Sequence, residues 1–301
     1  MKINFMAQWR HGKLLRDALR QAGHEIHMTN LHAEDSGDVL FTDDDCVAGY
    51  KALCDRHQRV FLHPHGGGIV RARAVPHPHV RGRFENGQGQ IDILRRHGFQ
   101  KPAETIGWTF CETGMFRATT NPIKVLFAPA HVSCLTPNDD PFGAENRRIF
   151  AMLAALPVDL TFRYVLDYQT AWYGPHLPHV HYIQGSGRAD DAAAGVEGFD
   201  CVISCAWTFP CISVARGIPT LTYCQDGFTP EPMPHRCPRE GWSDPDAYPY
   251  DASTCETPAE LWAMIQQACA TEATAWKGRF IGKPFDPQDF MQKFNHALEN
   301  W

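Results

Sequence analysis

The sequence predicts an α/β protein built from two halves, each a parallel sheet flanked by helices. Three observations carry that prediction. Short apolar runs alternate with stretches of helical periodicity along the first part of the chain. The alternation restarts after Thr119-Thr120-Asn121-Pro122, which reads as a linker. A chain of 301 residues, 44% hydrophobic and 21% charged, is also large enough to bury two ordinary cores.

In the first half, Ile3 to Ala7 reads as a buried strand. A loop from Gln8 to Gly12 follows, then a helix from about Lys13 to Gln21 with Leu14, Leu15 and Leu19. Gly23 ends that helix, and Glu25 to Met28 reads as the next strand. Val39 to Phe41 and Val60 to Leu62 are further strands, separated by a helical stretch from Asp45 to Asp55. In the second half, Lys124 to Ala128 is a strand and Glu145 to Leu156 a helix ended by Pro157. Asp159 to Val165, His181 to Ile183, Cys201 to Ser204 and Thr220 to Tyr223 supply the other strands. A helix from about Phe209 to Arg216 is closed by Gly217. The Pro-, Asp- and Tyr-rich stretch from Gly227 to Asp251 reads as an ordered loop, and helices from about Pro258 to Cys269 and Pro287 to Glu299 finish the chain. The expected domains are 1–120 and 121–285, with 286–301 a C-terminal helix that packs back on the first domain. Two such halves joined by a short linker put a cleft between them, where ligands bind.

Composition excludes several classes. No apolar run approaches the roughly 20 residues that span a bilayer. The N-terminus turns polar too quickly for a secretory signal, so a cytoplasmic protein without membrane insertion is expected. Eleven cysteines, odd in number and widely scattered, argue for buried thiols over a disulfide framework. Sixteen histidines invite a metal reading through the pairs His63/His65, His77/His79 and His179/His181. Metal sites need three or four converging ligands, and neither a Cys-x-x-Cys pair nor a His-Glu-x-x-His helix occurs, so no metal is expected. A net charge of −6 argues against indiscriminate nucleic-acid binding. Residues 71–83 run against that balance: Arg71, Arg73, Arg81 and Arg83 follow one another with no acid between them.

The most pointed feature of the first half is Phe61-Leu62-His63-Pro64-His65-Gly66-Gly67-Gly68. A strand ends there, and the glycines let a ligand approach the backbone. His-Gly-Gly-Gly also serves as an oxyanion-hole motif in esterases, but no Gly-x-Ser-x-Gly elbow accompanies it here. Asp43-Asp44-Asp45 precedes a helix and is better explained by capping and dipole compensation than by metal binding.

Three passages resemble GT-B transferases, especially the CDP-glycerol glycerophosphotransferase and UDP-sugar transferase relatives. They are Gln88 to Phe99 followed by Thr105-Ile106-Gly107-Trp108, then Lys124 to His131, then Asp200 to Thr208 followed by Ala215-Arg216-Gly217-Ile218-Pro219. The last is similar to an Asp-x-x-Ile-Ser-Asp-x-Ser-Ser … Ala-x-Gly-x-Pro element. It departs from that pattern at Cys205, Trp207 and Thr208, and Ile212 stands where many relatives hold ribose with an acid. Arg163-Tyr164-Val165 replaces a basic-His-Pro segment.

The resemblance implies the GT-B fold, two Rossmann-like domains facing a cleft, with a nucleotide-sugar donor, UDP-sugar favoured, as substrate and no cofactor. Thr208, at the start of a helix after a strand, is placed to hold the donor diphosphate; plain helix capping explains it equally. Ser204, His131 and Arg163 complete the expected donor set, Arg163 neutralising the leaving phosphate. His65 matches the His-Gly pair whose histidine acts as base in these relatives, with His11 as rival and an ordinary loop histidine as the bland alternative. Since the first domain receives the acceptor in GT-B enzymes, Arg71, Arg73, Arg81 and Arg83 point to a polyanion such as DNA carrying hydroxymethylated pyrimidines; a solvated basic loop is the alternative. A CDP-glycerol-type glycerophosphotransferase, a UDP-sugar 2-epimerase and a non-catalytic nucleotide-sugar binder are the other readings, although the epimerase would need acidic groups that the matching positions do not obviously provide.

Overall fold

The computed structural model describes residues 1–6, 12–32, 37–43, 48–64, 76–96, 98–108, 120–129, 143–165, 170–185, 195–205, 208–223, 250–271 and 283–301. The chain divides into two compact units. The first holds strands β1 (Lys2–Met6), β2 (Glu25–Met28), β3 (Gly37–Thr42), β4 (His57–Leu62), β5 (Val80–Glu85) and β6 (Ala103–Thr105). Its helices are α1 (Gly12–Gln21), α2 (Ala48–Asp55) and α3 (Gln88–Arg96). The second unit holds β7 (Lys124–Ala128), β8 (Asp159–Tyr164), β9 (Val180–Gln184), β10 (Cys201–Cys205) and β11 (Thr220–Tyr223). Its helices are α4 (Gly143–Ala154), α5 (Thr208–Ala215) and α6 (Pro258–Ala270). The last helix, α7 (Pro287–Asn300), belongs to the first unit.

Both sheets are parallel, in the orders β2-β1-β3-β4-β5-β6 and β11-β10-β7-β8-β9. The carboxyl ends of all strands in a sheet therefore share one edge, where loops carry function in this kind of fold.

In the first unit, side chains alternate between two cores. Phe5, Phe41, Phe61 and Phe84 face one cluster with Leu15 and Leu19 of α1 and Phe290 and Phe294 of α7. Met6, Leu40, Val60 and Leu62 face another with Tyr50 and Leu53 of α2. Trp301 stacks on Phe84 with ring centroids 5.3 Å apart. Its ring passes over Gly82, where an added Cβ would overlap the indole and lie 2.9 Å from the Pro102 carbonyl.

The reading of 71–83 as one basic loop is corrected here: Val80–Glu85 form a strand between β4 and β6. Arg83 and Glu85, two apart and so on the same face, form a buried ion pair.

In the second unit, Phe127, Phe150, Phe162 and Tyr173 pack ring against ring under the sheet. Tyr223 adds a hydrogen bond to Asn146 Oδ1 of α4 at 2.6 Å. The Asp200 carboxylate accepts from the Lys124 N–H at 2.9 Å and from the Thr120 hydroxyl, pinning the start of β10 to the start of β7. The α6 helix opens on a Thr257/Glu260 capping box with Pro258 in its first turn.

Candidate functional site

At the carboxyl edge of the second sheet, α5 begins at Thr208, three residues after β10 ends at Cys205. The first-turn N–H groups of such a helix lack intrahelical acceptors and favour an anion. Ser204 is buried, and its hydroxyl donates to the Ala128 carbonyl at 2.6 Å, fastening β10 to β7. Arg163, near the end of β8, is 7% exposed. Its guanidinium carbon lies 5.0 Å from the centre of the Phe209 ring in the first turn of α5. Gly185 and Gly195 leave the room it occupies, and a Cβ at Gly185 would overlap its guanidinium. The fold thus brings Arg163 to the first turn of the helix that Thr208 opens. His131 lies outside the described residues.

At the carboxyl edge of the first sheet stands His63, fully buried, one residue beyond β4. His11, His65, Arg71 and Arg73 lie outside the described residues. Arg81 is exposed on β5. Arg83 is withdrawn from the acceptor-binding set, because its side chain is fully buried against Glu85 inside the sheet.

Glu85, the last residue of β5, was not singled out by sequence reasoning. Burial pushes its carboxyl above the ordinary value, while Arg83 pulls the other way. The available signal was an acid at the end of a strand, directly before Asn86-Gly87 and α3.

Three of the paired histidines have structural partners. His77 Nε2 lies 2.9 Å from Asp55 Oδ1 and His79 Nδ1 lies 3.1 Å from the Cys54 carbonyl, so both close the end of α2. His179 Nε2 lies 3.1 Å from the Ala154 carbonyl. Among the described residues, no group of three or more His, Cys, Asp or Glu could hold a metal ion. Cys54, Cys201, Cys255 and Cys269 carry buried thiols. Among the same residues, no helix is long and apolar enough to cross a membrane.

No family model matches the sequence, and no curated protein matches it. Solved structures do. The chain is similar to the Methanocaldococcus jannaschii UDP-GlcNAc 2-epimerase in complex with UDP-GlcNAc and UDP, with a TM-score of 0.61 and 10% identity over 98% of this chain and 100% of that one. It is similar to the spinosyn rhamnosyltransferase SpnG complexed with thymidine diphosphate, at a TM-score of 0.60 and 12% identity over 98% and 100%. It is also similar to the calicheamicin glycosyltransferase CalG4, at 0.54 and 11% over 99% and 98%.

The fold is GT-B. Within this GT-B chain, Ile212 is 1% exposed and packs inward from α5. The next residue, Ser213, is buried and its Oγ lies 2.8 Å from Thr220 Oγ1. The helix therefore turns an apolar side chain into its core at the position where the resemblance to GT-B transferases implies a ribose-binding acid.

Proposed function

We propose that this protein is a glycosyltransferase that moves a sugar from a nucleotide-activated donor to a hydroxyl acceptor, with UDP-sugars the favoured donors and no cofactor. The observation that carries the reading is Arg163 laid across Phe209 at the first turn of α5. A departing nucleoside diphosphate gains negative charge, and a guanidinium beside helix N–H groups stabilises charge that develops there. Two of the similar structures hold UDP-GlcNAc and UDP, and thymidine diphosphate, which are ligands of that chemistry. Thr208, Ser204 and His131 complete the donor side of this reading. His65, with His11 as alternative, takes the proton of the acceptor hydroxyl. Arg71, Arg73 and Arg81 would meet a polyanionic acceptor, for which hydroxymethylated DNA is the substrate to try. With Ile212 turned inward, the donor ribose must be held by groups other than an α5 carboxylate.

The test is thermal stabilisation by UDP, CDP, GDP, dTDP and their sugars, on wild type and Arg163→Ala. A ligand at a hundred times its Kd stabilises by about 2.7 kcal/mol. A selective shift that shrinks in the variant supports the reading, and no shift with any nucleotide removes it.

A second reading, a UDP-sugar 2-epimerase, is supported by the similarity to the UDP-GlcNAc 2-epimerase structure; Glu85, buried against Arg83, does not serve it. Conversion of a UDP-sugar in the absence of acceptor, with solvent deuterium entering the sugar carbon, would select it; transfer that depends strictly on acceptor would discard it.

A further inference from the structure

Phe209 stands apart from the ring cluster of its unit. Phe127, Phe150, Phe162 and Tyr173 pack together against one face of the second sheet. Successive residues of a strand point to opposite faces, so Arg163 leaves β8 on the face away from Phe162 and that cluster. There its guanidinium carbon lies over the Phe209 ring, 5.0 Å from the centroid. The ring is half-buried, whereas the arginine it meets is 7% exposed. Gly185 sets the plane of the same group. It follows β9, and its N–H donates to the Tyr164 carbonyl at 2.7 Å, which fixes its backbone beside β8. A Cβ on Gly185 would overlap Cζ and Nη2 of Arg163 and stand 2.7 Å from Nε, a position over the guanidinium plane rather than beside its edge.

The guanidinium is therefore laid against a backbone on one face, with an aromatic ring beneath its central carbon. Its N–H groups point outward in the plane, so an oxyanion meets it edge-on, through two parallel hydrogen bonds. That geometry suits a phosphate oxygen pair and offers little to a ligand that would stack. We infer that Phe209 is a positioning residue: its ring holds the Arg163 guanidinium in the orientation in which that edge receives a diphosphate. A long side chain that must be frozen as the ligand arrives weakens binding by about two- to tenfold, and one already held escapes that loss. The ring does this without an opposite charge, which would compete with the phosphate for the same N–H groups. The inference rests on the reading of Arg163 as the group that meets the donor phosphates; it does not depend on which sugar or acceptor is used.

The experiment uses the full chain and two probes, UDP and inorganic pyrophosphate, titrated calorimetrically. Phe209→Leu and Phe209→Met remove the ring, Phe209→Tyr keeps it, and Arg163→Met removes the guanidinium while keeping its length. Thermal midpoints without ligand identify the variants that fold. Loss of the ring should raise Kd for both probes about two- to tenfold, and tyrosine should restore it. Arg163→Met should weaken binding further, and adding Phe209→Leu to it should change nothing more, because the ring acts only through the guanidinium. Two results overturn the inference while leaving Arg163 in the donor site. One is wild-type affinity in the ring-less variants. The other is a loss that is equally large with and without Arg163, which is the mark of a ring that acts through the fold or touches the ligand itself. If Arg163→Met binds both probes as wild type does, or wild type binds neither, the donor-site reading of Arg163 falls and this inference falls with it.

Discussion

Among the described residues two arginines are buried, one in each unit, and they are held in different ways. Arg83 lies within β5 against Glu85, a carboxylate on the same strand and the same face. Arg163 lies near the end of β8 with its guanidinium over the Phe209 ring and its length beside two glycines. The first arrangement is local in sequence and makes a cation part of a sheet. The second draws on three separate elements and keeps a cation at the start of a helix, so substitutions should separate a residue that holds the fold from one that serves a ligand.

The largest effect is expected from Arg83→Met. Removing one partner of a buried pair strands the other charge, and stability should fall by about 3–5 kcal/mol in denaturant unfolding. A loss under about 1 kcal/mol would mean that the pair contributes no more than a surface contact. Next in size is Gly82→Ala, whose methyl group meets the Trp301 ring and the Pro102 carbonyl. Overpacking of this kind costs about 1–3 kcal/mol, read from the same unfolding curves.

The matching change in the second unit, Gly185→Ala, should act differently. The three atoms nearest its methyl all belong to the end of the Arg163 side chain, so the fold should survive while the guanidinium shifts off Phe209. Together with Arg163→Lys, it should weaken donor binding by about 0.5–2 kcal/mol, or roughly two- to thirtyfold in Kd. Calorimetric titration with the nucleotide that stabilises wild type checks both variants.

The smallest effect is the pH dependence carried by Glu85. Burial raises its carboxyl in the folded chain above its ordinary value, so the folded state binds a proton that the unfolded state releases. This contribution to stability is greatest below the unfolded value and diminishes as pH rises through the folded one. Glu85→Gln should flatten that part of the stability profile, and an unchanged slope would place its origin elsewhere.

The two arginines also mark what the sequence discloses. Strands such as β1, β7 and β10 are legible because the apolar run is continuous and both faces are covered. Strand β5 is not, because Val-Arg-Gly-Arg-Phe-Glu has the composition of a solvated loop. Only the cancellation of Arg83 by Glu85 lets that segment into a sheet, and opposite charges two residues apart are the pattern that could have suggested it. Arg163 can be read as a strand-end residue from its place in the Asp159–Val165 run. Phe209, Gly185 and Gly195 cannot be attached to it without the fold, since they come from other segments of the chain. Glu85 escaped for the same reason as β5: with the strand unread, the acid at its end and its Arg83 partner two residues earlier went unweighed.

The first unit is interrupted in sequence by the whole of the second. Phe290, Phe294, Ala297 and Trp301, with Phe285, Met291 and Leu298, complete a core whose other members are encoded between Ile3 and Ile106. During synthesis the early strands must therefore wait, at about 5–20 residues per second, until α7 has been made. The second unit has all its elements before that moment. The half of the molecule translated first is thus the half that closes last, and during this interval its phenylalanine-lined face lacks the cover that α7 supplies.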